Sequence, residues 1–218
     1  GLIAGAVVYL SNKFADLTDE QKELMNTSEQ TRKRLDALND EYDAFVSSAD
    51  NSRKKVTETA LGFRELARET VELSNKQNRS TEETKKLKEN IDELNKYVGE
   101  GTVNFNEKKD AIDQTEESLY GYIEIAHGQE YINQLDQESL DLQDKRLALE
   151  QELLALEEEH KELSAQVAEA NSTQKEKLLE ELAEVEEAQR EGAERYINTS
   201  ERLNEVDESR LAGQQHIA

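Results

Sequence analysis

The sequence predicts an all-α fold, an elongated coiled coil of long helices, and three observations carry that prediction. The 218 residues contain no proline, cysteine or tryptophan and only 9 glycines, so helix breakers are nearly absent. Charged residues make up 35% of the chain and aromatic residues 5%, against about 25% charge in an ordinary globular domain. Apolar residues recur at alternating spacings of four and three, a phase that a disordered polar chain would not keep.

The elements follow in order. Gly1–Leu10 reads GLIAGAVVYL. As a helix this run would rise about 15 Å, roughly half the hydrocarbon core of a bilayer. It has no basic n-region and no small-residue cleavage site. Residues 1–15 therefore read as an apolar helix: the end of a truncated membrane segment, through which residues 1–10 would touch a membrane, or a short buried or assembly contact. An interruption is expected near 15–18. Thr18-Asp19-Glu20-Gln21 then offers a capping box, so a long helix should begin there.

A heptad helix is expected over 18–98. One row runs Leu24, Thr31, Leu38, Phe45, Ser52, Thr59, Leu66, Leu73; the other runs Ser28, Leu35, Tyr42, Ala49, Val56, Phe63, Thr70. The same phase returns at Leu87, Ile91, Leu94 and Val98, after an interruption expected over the polar stretch 74–81, in which Ser80 and Glu83 offer a second capping box. About half of the seam up to Leu73 is Ser, Thr or Ala, so this helix should be marginal alone and need a partner. Gly99-Glu100-Gly101 is the strongest break in the chain, with an extended look to Thr102–Asn106, and a Gly-containing turn is expected over 99–106.

Helix should resume near Glu107 and run, acidic and leucine-rich, over 107–212. Leu135, Leu142, Leu149, Leu156 and Leu163 repeat every seven residues, with Leu140, Leu147 and Leu154 as a flanking stripe. That face is wider than a two-stranded seam needs and predicts more than two helices in contact. A soft spot at 171–173 precedes a shifted phase through Leu178, Leu182, Val185, Tyr196, Leu203 and Val206. Between Glu130 and Arg210 there are 24 acidic and 9 basic residues, and runs such as Glu157-Glu158-Glu159 read as solvated faces.

The net charge of −23 repels phosphates and anionic lipid surfaces, so direct gripping of nucleic acid is not expected. With no cysteine there can be no disulfide or thiolate metal site. Phosphate loops, nucleophile elbows and HExxH are absent from the sequence. Glu124-x-x-His127 and Glu157-x-x-His160 match half of the di-iron pattern of four-helix bundles, but the seam is too thin for such a bundle and Glu is too common here for the pairs to be informative. His216 stands apart. Asn26, Asn78, Asn171 and Asn198 open accidental matches to the glycosylation pattern, and Tyr120, Tyr122 and Tyr131 read as packing. No catalytic, cofactor or metal residue is assigned, and the chain is not expected to be an enzyme.

Leu87-Lys-Glu-Asn-Ile91-Asp-Glu-Leu94-Asn95, Val98-Gly-Glu-Gly101 and the acidic stretch to Leu119-Tyr-Gly-Tyr122-Ile123 resemble the tail tape measure proteins of long-tailed phages and prophages of Gram-positive bacteria. Gly1–Leu10 and Leu38-Asn-Asp-Glu-Tyr42 are similar to the same family just after its hydrophobic segment. The likeness covers about the first 125 residues, and the proline usual beside the glycine of the turn is missing here. The resemblance implies a helical ruler in the lumen of the virion's tail tube, assembled in the host cytoplasm and released ahead of DNA, with tail tube and tail-tip proteins as partners. The alternative is a membrane-tethered bacterial coiled-coil scaffold or spacer; a di-iron helical-bundle enzyme is a distant third. The self-matching polar rows predict parallel association of three or more chains rather than a chain folded back at Gly99–Gly101.

Overall fold

The computed structural model describes residues 13–217, so Gly1–Leu10 and most of the expected 1–15 helix lie outside the described residues. Within them the fold is all-α. Helix α1 is Asp19–Asn75, α2 is Thr81–Val98, a two-stranded hairpin follows as β1 Phe105–Asn106 and β2 Ala111–Ile112, α3 is Glu116–Glu169 and α4 is Ser172–Ile217.

Each helix starts where a side chain can satisfy its free amides. Thr18 Oγ1 accepts from the Gln21 amide at 3.2 Å while Gln21 Oε1 accepts from the Thr18 amide at 3.1 Å, the expected box. Ser80 and Glu83 close the second expected box in the same reciprocal way. Thr115 and Ser118 do so for α3, and Asn171 and Gln174 for α4. Asn171 is thus a helix cap, which explains the soft spot there as a true break.

The chain divides into two compact units. The first joins the chain up to Phe45 with Leu140–Glu205. Gln21, Thr31 and Arg34 of α1 meet Gln166, Glu159 and Glu152 of α3, so these segments run antiparallel. Ser28 and Asp43 of α1 meet Glu181 and Arg195 of α4, so those run parallel. The core between the three segments contains Leu24, Met25, Leu35, Leu149, Leu156, Leu163, Leu178 and Val185. Gly192 lets α4 approach closely: a Cβ there would lie 2.8 Å from Leu153 and 3.1 Å from Leu35.

The second unit joins Val46–Ser139 with Val206–Ala218. Here α2 folds back along α1, with Phe63 stacked on Tyr97 at 4.1 Å and Lys86 paired with Glu69. Arg79 holds the connecting turn by donating to the carbonyls of Leu73 at 3.0 Å and Ser74 at 2.8 Å. Gly99 and Gly101 take φ of 114° and 76°, a region that a side chain would strain. Asn95 then binds the Val103 backbone through both its amide nitrogen and its oxygen, at 2.9 and 2.8 Å. The hairpin pairs Phe105 with Ile112, and the Ile112 amide donates to Ser74 Oγ at 2.9 Å. Leu87, Ile91, Leu94, Val103, Ile112, Leu119 and Ile123 pack with Ala60 and Ala67 beneath it.

Three expectations are corrected. The interruption expected near 74–81 is a cap and a turn at which α2 folds back on α1, so 18–98 is not one continuing seam. Helix resumes at Glu116 rather than near Glu107, since Lys108 and Lys109 turn the hairpin on the side chain of Asn106. Within the chain, Ser28 and Thr31 of the polar rows bond Glu181 and Glu159, an arrangement favoured by the low entropy cost of connected helices. Finally, three helical segments do meet in the first unit, but the stripe Leu140, Leu147, Leu154 lies outside their core.

Candidate functional site

Seam positions in the first unit that would ordinarily be apolar carry a polar network. Ser28 Oγ donates to Glu181 Oε1 at 2.5 Å, and Arg32 donates to the same oxygen at 2.7 Å. Lys13 lies 3.6 Å from the other oxygen of Glu181, whose side chain is 1% exposed. One turn on, Thr31 Oγ1 donates to Glu159 Oε1 at 2.5 Å and accepts from Arg34 at 3.1 Å, while Arg34 also binds Glu152 at 3.0 and 3.1 Å. Thr31 lies in one row of the heptad and Ser28 in the other, so helical periodicity brings both hydroxyls to one seam. Glu159 falls between Leu156 and Leu163 on α3 and is carried inward for the same reason.

Glu159 corrects the reading of Glu157-Glu158-Glu159 as a solvated face. Glu157 and Glu158 are exposed beside Lys161, whereas Glu159 is 7% exposed. Burial pushes its carboxyl above the usual range, and the Thr31 hydrogen bond pulls the other way. Its Oε2 meets no hydrogen-bond partner. Such a network can fix helix register and respond to protonation.

In the second unit the corresponding carboxylate, Glu138, is fully buried and takes two bonds from Arg53, at 2.9 and 2.6 Å. An open cleft of about 580 Å³ lies beside His127, lined by Gly121, Tyr131, Ile132 and Gly213 among others. The His127 ring faces Tyr131 with centroids 6.1 Å apart, and its Nε2 is buried without a hydrogen-bond partner. Tyr97 is pushed up to about 12 by burial and by Glu130, to which its hydroxyl donates at 3.4 Å.

The two Glu-x-x-His pairs fall in different units: Glu124 and His127 in the second, Glu157 and His160 in the first. His160 Nε2 sits 3.1 Å from Glu186 on α4. Among the described residues, no group of three or more His, Asp or Glu side chains is placed to hold a metal ion. Tyr120 packs against the second core and bonds Glu116, while Tyr122 is exposed. Asn78 adopts φ 56° in the turn before α2, Asn171 caps α4, and Asn26 and Asn198 are exposed. Among the described residues no helix is long and apolar enough to cross a membrane.

The stripe Leu140, Leu147, Leu154 is the feature whose position the sequence does not reveal. These leucines are 57, 54 and 60% exposed on α3, although neighbours on the same helix build the core. Compared with protein-family models, curated proteins and solved structures, the chain matches none.

Proposed function

We propose that the chain is a non-catalytic helical module, and that it serves as a segment of a tail tape measure protein, a ruler in the tube of a long-tailed phage. The phage assignment rests on the resemblance of Leu87–Gly101 and Leu119–Ile123. The structural feature that supports it is the polar seam of the first unit, where Ser28 and Thr31 bond Glu181 and Glu159. Such pairs exchange for water at small net cost, unlike a continuous apolar seam. A ruler counts residues only when its helices run end to end, at 1.5 Å per residue. The bundle is then the form the chain takes alone, and it opens in the tube, where association of three or more parallel chains, together with tail tube and tail-tip proteins, replaces the intrachain pairs.

Deleting 28 residues in phase, four heptads of α3, from the full-length protein in its phage should shorten the tail by about 42 Å. Unchanged tail length in electron micrographs would sink this reading. The alternative, a membrane-tethered bacterial spacer, is favoured by the apolar run Gly1–Leu10. It predicts instead that the full-length protein fractionates with cell envelopes and is missing from purified virions.

A further inference from the structure

We propose that the outer face of α3 at Leu140, Leu147 and Leu154 is a docking site for a basic amphipathic helix of another protein. The three leucines lie seven residues apart, so they form one ridge about 21 Å long. Their side chains are more than half exposed, while Leu142, Leu149 and Leu156 of the same helix are buried in the core. No described residue of this chain covers the ridge. Isolated surface leucines need no explanation, but three in heptad register make a continuous apolar seam of the kind that receives a partner helix.

Charge selects the occupant. Gln143, Glu150 and Glu157 run along one side of the ridge and Asp144, Gln151 and Glu158 along the other, all of them exposed. Four of these six are acidic, and no basic residue stands between Leu147 and Lys161 on these two flanks. A second copy laid on the ridge in either direction would set acid against acid, within a chain of net charge −23. An anionic lipid surface is disfavoured on the same ground. A helix with leucine at every seventh position and Lys or Arg on both sides matches the apolar ridge and both acidic rims at once.

The test uses a labelled 21-residue synthetic helix of that pattern, titrated with the whole 218-residue chain at physiological salt and followed by fluorescence anisotropy. Binding should saturate. Leu147→Ser should weaken it at least tenfold while leaving circular dichroism unchanged, because the residue is outside the core. A scrambled peptide of identical composition should bind at least tenfold more weakly. The proposal is overturned if the scrambled peptide binds equally, which would mean charge attraction alone, or if Leu147→Ser has no effect. It is also overturned if the chain without peptide sediments as a dimer that Leu147→Ser dissociates, which would make a second copy the occupant.

Discussion

The two units solve one problem in different ways. Both must hold long, highly charged helices together with few apolar residues. The first unit lets seam hydroxyls and carboxylates pair across helices: Ser28 with Glu181, and Thr31 with Glu159. The second packs an aliphatic and aromatic core, buries Glu138 against Arg53, and uses further polar side chains to pin backbone, with Asn95 on Val103, Ser74 on Ile112 and Arg79 on the end of α1. The lesson concerns chain closure. Where a short helix and a hairpin close locally, polar groups are needed to satisfy turn backbone. Where three long helices run side by side, most of the seam lies away from turns, and its polar rows pair across helices.

Substitutions can break this contrast. The largest effect should come from the second unit. Leu94 is fully buried, and Leu94→Ala should cost about 3 kcal/mol through lost burial and the cavity left behind. For a chain of this length that lowers Tm by roughly 10 °C. Hydrogen exchange should rise first in α2 and the hairpin. A small and evenly spread effect would mean that the second core is not apolar-driven.

A somewhat smaller loss is expected from the first unit. Arg32→Met leaves Glu181 buried with the Ser28 hydroxyl and with Lys13 at 3.6 Å as its remaining cation, at a cost of about 2 kcal/mol. Adding Glu181→Leu should recover most of that loss, because the penalty belongs to the unmatched charge rather than to the missing bond. If the double variant is as unstable as the single one in thermal melts, the polar seam is more than a compensated charge pair.

The smallest effect has the opposite sign. Burial raises the Glu159 carboxyl above its usual 4.5, so its favourable contribution is present below that value and is lost as pH rises through the folded-state value. Glu159→Gln stays neutral and keeps an oxygen to accept from Thr31. It should gain about 1 kcal/mol at pH 7, or a few degrees in Tm, and the gain should vanish as pH falls toward 4.5. A pH-independent difference would remove burial of charge as the cause.

Much of the fold was legible in residues. Thr18 with Gln21, and Ser80 with Glu83, announce their helix starts because capping is a local reaction between side chain and adjacent backbone. Leu135, Leu142, Leu149, Leu156 and Leu163 announce the core of α3, and all five are buried. Of the two rows read on α1, Ser28, Leu35, Tyr42, Ala49, Val56 and Thr70 are buried as the pattern requires. The partners of these rows were not legible, since periodicity gives the buried face of a helix and says nothing of what faces it. Glu159 and Glu181 were invisible as seam residues because a glutamate reads as solvent-facing until its hydroxyl partner is known. The outer ridge of Leu140, Leu147 and Leu154 read as core for the converse reason: spacing alone cannot tell a filled apolar face from an open one.

The central claim is that α1 finds its partners within its own chain. Arg34 and Glu152, joined at 3.0 Å, can each be replaced by cysteine in a protein that has no other cysteine. The double variant, treated at low concentration with a short bismaleimide linker, should give a cross-linked product of single-chain mass. Mixing isotopically light and heavy chains should give no mixed species. A ladder of covalent dimers and larger products, with light and heavy chains joined through residues 34 and 152, would contradict it and return the seam to neighbouring copies.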